Sequence, residues 1–169
     1  MGRILRRTSF RRARTGLKIA AAIGLAACQT TGQPHLTKRQ VAALKSEGFE
    51  RTTRGWEFGA QDRLLFPIDE SRLTPEKRQD VARIALALVA VGIAHAALEG
   101  HADDTGSANH NLALSRERAE AVAKEMAASG FPAAGLTVVG LDEKYPVDSN
   151  RTSAGRRENR RVVVLVGAK

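Results

Sequence analysis

The stretch LEGHADDTGSANHNLALSRERAE, residues 98–120, passes from an apolar segment through an acidic turn into a segment of helical periodicity. The turn carries Asp103 and Asp104, and Gly100 and Gly106 allow the backbone to bend sharply around them. At about 100° per residue, Asn111, Ser115 and Arg118 fall within roughly 60° of one another on the helix. Leu112, Ala119, Val122, Ala123 and Met126 occupy the neighbouring arc, so the polar trio borders a packed face. Helical side chains lean back towards the helix N-terminus, which directs Arg118 at the acidic turn.

On either side the same alternation of strand and helix continues. Upstream, DRLLF (residues 62–66) reads as a strand, and TPEKRQDVARIALALVAVG as a helix with Thr74 as N-cap, Pro75 at the first helical position and Gly92 at its end. Val81, Ile84, Leu88 and Val91 mark its buried stripe. A strand over residues 93–99, a helix to about Ala128, then the strands LTVVGL and RRVVVLV complete the order β-α-β-α-β-β. That order predicts an α+β two-layer sandwich with helices over one face of a mixed sheet.

Ahead of this domain, LTKRQVAALKSEG carries a complete helix start. Thr37 is the N-cap, Gln40 closes a capping box, Leu36 and Val41 are placed for a hydrophobic staple, and Gly48 supplies the stop. A helix of roughly eleven residues is marginal alone and must dock through Val41 and Leu44. In FERTTRGWEFG, Trp56 and Phe58 alternate around the turn offered by Gly55, which predicts a short hairpin or an irregular extended segment. Phe49, Trp56 and Phe58 lie close together, and they either pack onto the domain behind them or form a surface for a partner.

The formal net charge of +9 points at first to nucleic acid or an anionic surface. Seven basic residues and no acids lie in residues 1–27, however, and the rest holds 20 basic against 18 acidic residues. A nearly neutral body argues against a phosphate-backbone binder, so no nucleic-acid partner is expected. The run RRENRR does not alter this, because Arg160 and Arg161 lead straight into an apolar strand. The basic start followed by LKIAAAIGLAA, too short to span a bilayer, reads as a secretory signal over residues 1–27. The signal closes on LAAC, which resembles the bacterial lipobox and implies that Cys28 is lipidated and becomes the mature N-terminus; the alternative is an ordinary cysteine in a cleaved signal. As the only cysteine, it excludes an intrachain disulfide. Two or three acyl chains would make attachment effectively permanent. Gln29, where an acid would have favoured inner-membrane retention, favours the outer membrane, with the anchored chain facing the periplasm. Residues 28–35 then form a polar tether, residues 36–60 a regulatory linker and residues 61–169 the folded domain.

An acid and an arginine converging on a small cleft suit a zwitterion: the carboxylate takes an ammonium group, and the guanidinium takes a carboxylate through two parallel bonds. Backbone N–H groups of the turn could add to the carboxylate side. A plain Asp103–Arg118 salt bridge is the competing reading. The segments GHADDTG, NLALSRERA and NRTSAGRRENRRV resemble, in order and spacing, the peptidoglycan-binding domain of OmpA C-termini and Pal-type lipoproteins, over about residues 60–166. The resemblance implies a groove for the D-centre of diaminopimelate in the peptide stem, with Asp103 and Arg118 as the ligand-binding acid and arginine. Asp104, Gly106, Asn111, Ser115 and Arg161 fall at the other matching positions of this peptidoglycan site, and Asn150, Gly155, Arg156 and Asn159 complete the closing motif. Ala102 stands where the family usually has threonine, and Asp142 where glycine is common.

The upstream segment VAALKSEGFERTTRGWEFG resembles the outer-membrane lipoproteins of three-protein systems that control cyclic-di-GMP. This resemblance implies that Leu44, Phe49 and Trp56 belong to a switch. In that scheme the activated lipoprotein captures a periplasmic repressor and frees an inner-membrane diguanylate cyclase. A structural anchor tying outer membrane to wall would use the same domain and lipid without that switch. An enzyme is not expected: there is no HExxH, His95, His101 and His110 form no ligand set of known spacing, and no serine sits in an elbow motif. No metal or other cofactor is implied, and monomer and homodimer stay open.

Overall fold

In the computed structural model, residues 36–59 and 64–167 are described. Ten elements follow one another: α1 (Lys38–Ser46), β1 (Glu50–Thr52), β2 (Gly55–Phe58), β3 (Leu64–Leu65), α2 (Pro75–Ala90), β4 (Ala96–Gly100), α3 (Ala108–Ala128), β5 (Leu136–Gly140), α4 (Ser153–Asn159) and β6 (Arg161–Val166), with a 3-10 turn at Ala133–Gly135. The signal, Cys28 and the whole tether lie outside the described residues. Among the described residues no helix is long and apolar enough to cross a membrane.

The strands form one mixed sheet in the order β1-β2-β6-β4-β5, with β3 pairing β6 beside β2. Only β4 and β5 run parallel; every other pairing is antiparallel. β6 is the sheet's axis, and all six of its residues are buried. Its alternation sends Val162, Val164 and Val166 to the helix side and Arg161, Val163 and Leu165 to the other. The helix side holds the core, where Trp56, Phe58, Leu64 and Leu98 from the sheet meet Val81, Ile84 and Leu88 of α2 and Val122 and Met126 of α3.

Helix starts follow their caps. The Thr37–Gln40 capping box is formed, and the Thr74 and Ser107 hydroxyls accept the Lys77 and His110 N–H groups. Gly48 and Gly92 end their helices at φ 84° and 74°. The FERTTRGWEFG segment is a hairpin with Arg51 opposite Trp56, and β2 continues it onto β6 with Trp56 opposite Val166 and Phe58 opposite Val164. Leu44, Phe49, Trp56 and Phe58 are therefore part of the core, and the Phe49 and Phe58 rings lie 5.5 Å apart.

Two expectations differ from the structure. The strand foreseen from residue 93 begins at Ala96, because Ile93 donates its N–H back to Leu88 in the turn that ends α2. A helix, α4, also separates the last two strands. Thr152 caps it by accepting the Gly155 N–H, but seven residues containing a glycine and a charge run show no apolar stripe.

Helix α3 sits unusually low on the ends of β4 and β5. A Cβ on Gly100 would lie 1.8 Å from the Ser115 carbonyl oxygen, and one on Gly140 would lie 2.8 Å from Ser115 Oγ. Bare backbone at both strand ends brings the helix face carrying Asn111, Ser115 and Arg118 against the turn that follows β4.

Candidate ligand-binding cleft

Asp103, Asn111 and Arg118 converge as expected on a cleft of about 270 Å³, which Ile68, Asp69, Ala102, Gly106, His110 and Arg160 also line. Arg118 is fully buried. Its guanidinium donates from Nε to the Glu70 carbonyl (2.9 Å), from Nη1 to His101 (3.1 Å) and from Nη2 to Pro67 (3.1 Å). It also lies 5.6 Å from the centre of the Phe66 ring. Burial and the neighbouring Arg160 lower its pKa to about 10, so it remains a cation at neutral pH. Three of its five N–H donors are committed, which leaves one hydrogen on each terminal nitrogen for a ligand carboxylate.

Asp103 does not pair with Arg118. Its Oδ2 accepts from Arg160 Nη1 at 2.7 Å, and its Oδ1 accepts the Thr105 N–H at 3.0 Å. Burial alone would raise its pKa, but the hydrogen bonds from Arg160 and Thr105 outweigh that and hold it below the usual carboxylate range. Arg160 also donates from Nε to the Phe66 carbonyl, so it ties the acid to the β3 side of the cleft. The direct Asp103–Arg118 salt bridge is thus replaced by a carboxylate and a buried guanidinium on one cleft, each held by other groups. A carboxylate accepts about four hydrogen bonds, so Asp103 retains capacity for an ammonium group.

Asn111 donates its amide to the Asp103 carbonyl (3.1 Å) and to Glu143 Oε2 (2.6 Å), joining the acidic turn to the loop after β5. Gly106 lines the wall at φ 100°, a conformation that favours glycine. At the rim, His110 Nε2 and Asp69 Oδ1 are 2.8 Å apart.

Three residues expected in this site lie elsewhere. Ser115 is buried off the cleft wall; its hydroxyl donates to the Leu112 carbonyl and accepts the Asp142 N–H, fixing α3 to the end of β5. Asp104 is exposed beside the cleft and does not line it. Arg161 points to the opposite face of the sheet, because successive strand residues alternate, and its Nη2 donates to the Tyr145 carbonyl. Its neighbour Arg160 takes the place in the cleft. Only the register of β6 distinguishes the two, and RRENRR read as a charge run concealed it.

The closing motif is a staple for the loop after β5. Asn159 Oδ1 accepts the N–H groups of Val147 and Asp148, its amide donates to Asp148 O and Asn150 Oδ1, and Arg156 donates to Asn150 O. A Cβ on Gly155 would lie 2.0 Å from the Ser149 carbonyl oxygen. Asp142 sits in that loop at φ 58°, which explains why glycine suits its position.

The OmpA family model matches residues 65–160 of this chain. The chain belongs to the OmpA family. Two relatives match over most of their length: the outer-membrane lipoprotein YfiB of Pseudomonas aeruginosa is 46% identical over 86% of this chain and 88% of its own, and the putative lipoprotein YfiB of Escherichia coli is 41% identical over 84% and 89%. This member of the family is therefore YfiB-like through the α1–hairpin segment as well as the OmpA domain. Among solved structures, the peptidoglycan-associated lipoprotein of Burkholderia pseudomallei superposes with a TM-score of 0.58 at 27% identity, covering 62% of this chain and 89% of its own.

Proposed function

We propose that the protein is an outer-membrane lipoprotein, anchored through Cys28 and facing the periplasm, that binds peptidoglycan through a diaminopimelate headgroup of the stem peptide. The observation that carries this reading is the cleft that holds a buried guanidinium with two remaining donors beside a separately anchored carboxylate. Arg118 takes the ligand carboxylate, and Asp103 takes the ammonium. The names of the YfiB and peptidoglycan-associated relatives support the same compartment and ligand. Peptidoglycan is a ligand here and not a substrate. Co-sedimentation of the protein with purified sacculi is expected without release of soluble fragments, and Asp103→Ala or Arg118→Ala is expected to weaken it at least about tenfold. Full binding by both variants, or solubilised fragments, would overturn the reading.

On the likeness to YfiB, the activated protein further captures a periplasmic YfiR-like repressor and so relieves inhibition of an inner-membrane diguanylate cyclase. Leu44, Phe49 and Trp56 supply the switch. Their complete burial equally favours a second reading, a Pal-like anchor in which these residues only hold the core. Trp56→Ala separates the two: raised cyclic-di-GMP and repressor capture support the switch, and unchanged output supports the anchor.

A further inference from the structure

We infer that the exposed apolar face at the C-terminal end of α2 rests on the phospholipid surface of the membrane that holds the chain, which turns the peptidoglycan cleft away from that membrane. This orientation depends on attachment through Cys28. Residues 84–91, IALALVAV, are consecutive apolar residues. A helix that is apolar all round is ordinarily covered all round. Here Ile84, Ala85 and Leu88 enter the core, while Leu86 and Val89 are 59% and 40% exposed and Ala90 is exposed beside them. At about 100° per residue, these three and Ala82 share an arc of roughly 100° on the side of α2 turned from the core.

Two observations commit this face to lipid. The first is where the tether enters. Helix α1 runs back along α2: Arg39 Nη2 donates to the Ala90 carbonyl and Gln40 Nε2 to the Val91 carbonyl, while Glu47, at the other end of α1, pairs with Arg83. The chain therefore enters the domain, at Leu36, beside the exposed turns of α2. From Cys28 to Leu36 its greatest reach is about 28 Å. So short an anchor raises the effective concentration of the surface, and a contact too weak to hold a free protein then suffices. The second observation is charge. Helix α1 exposes Lys38, Arg39 and Lys45 and has no acid in its first turn. Nearby acids are engaged, Glu47 and Asp80 by Arg83 and Glu125 by Arg78. Apolar side chains beside cations fit a phospholipid surface with anionic headgroups.

The cleft lies at the far end of the same helix. With 16 residues, α2 is about 24 Å long. Its start follows the Glu70 carbonyl that Arg118 holds, and its end leads into β4, whose last residue, Gly100, precedes the cleft residues Ala102 and Asp103. With Leu86 and Val89 on lipid, Asp103 and Arg118 open towards the wall.

The test uses the mature chain, its lipid on Cys28 verified by mass, in nanodiscs of phosphatidylethanolamine and phosphatidylglycerol that hold one copy each. Isoleucine, leucine and valine methyls are labelled with ¹³C, and a gadolinium-chelating lipid is added. Relaxation of the Leu86 and Val89 methyls is expected to be enhanced several-fold more than that of the Ile68 and Leu112 methyls, which are exposed at the cleft end. Leu86→Ser combined with Val89→Ser is expected to abolish the difference and leave sacculus co-sedimentation unchanged. Because the tether is identical in the two proteins, that loss reports the contact itself. Equal enhancement at both ends, or a pattern that the double variant retains, overturns the inference. So does a difference confined to discs that hold two copies, which would assign the face to a second copy of the chain. A chain without lipid on Cys28 would overturn the anchor, whereas an unbiased pattern on a lipidated chain overturns only the docking face.

Discussion

Arg118 and His101 are two buried titratable side chains whose surroundings push them in opposite functional directions. Arg118 keeps its charge because three carbonyl dipoles replace its hydration. Arg118→Ala orphans those carbonyls, at roughly 1–3 kcal/mol for each buried acceptor left unpaired. A loss of about 3 kcal/mol or more is therefore expected in denaturant melts, well above that for Asp103→Asn, which preserves shape. His101 keeps its neutrality at a cost in acid. Its pKa falls from an ordinary value near 6.5 to about 3 on folding, so the unfolded chain binds the extra proton and stability declines as pH drops from about 6.5 towards 3. Asp103, depressed in the fold, adds a loss only once pH falls below the ordinary carboxylate range near 4. His101→Gln is thus expected to flatten the dependence of thermal midpoint on pH between 6.5 and 4, whereas Asp103→Asn alters it only below about 4. Identical slopes for wild type and His101→Gln would show that the ring does not titrate this way. At this scale the sequence carried Asp103, Asn111 and Arg118 through helical spacing. It could not separate Arg160 from Arg161, since that choice depends on which residue of β6 lies opposite Gly100.

Among the elements, those with strong local chemistry were legible and those defined by tertiary contacts were not. The caps at Thr37 and Thr74 mark their helices without reference to the rest of the fold. Helix α4 exists because Asn159 and Arg156 gather the loop before it, contacts invisible to periodicity. The same distinction ranks the elements by how readily they detach. Helix α1 buries one side chain completely, Leu44, and reaches α2 through partly exposed bonds from Arg39 and Gln40 to Ala90 and Val91 carbonyls. Strand β2 is bound to β6 through its backbone and buries both Trp56 and Phe58. Local opening within residues 36–59 is accordingly expected to begin at α1. Leu44→Ala removes about 2–5 kcal/mol of core packing. It is expected to speed hydrogen exchange in α1 while the β2 and β6 amides stay protected, as for a local opening. Equal acceleration in α1 and β2 would mean that the two open as one unit.

For the whole molecule, the assignment of residues 36–60 to a linker meets a core that crosses residue 60. Trp56 and Phe58 cover the helix side of the sheet, and β2 occupies the edge of β6 at Val164–Val166. On the outer face, Arg54 spans from Glu57 to Glu99, joining the hairpin to β4 above Val163 and Leu165. A fragment of residues 61–169 would expose that edge and the apolar face together, the combination that drives strand-to-strand association. Residues 36–169 are expected to be monodisperse and to melt cooperatively. The 61–169 fragment is expected to melt several degrees lower and to associate at micromolar concentrations in light scattering, because losing the three buried aromatics Phe49, Trp56 and Phe58 removes several kcal/mol. A fragment as stable and as soluble as residues 36–169 would instead make the helix and hairpin a dispensable cover. A less stable but sacculus-binding fragment would place recognition wholly behind residue 60 and assign the segment before it to covering the edge of β6.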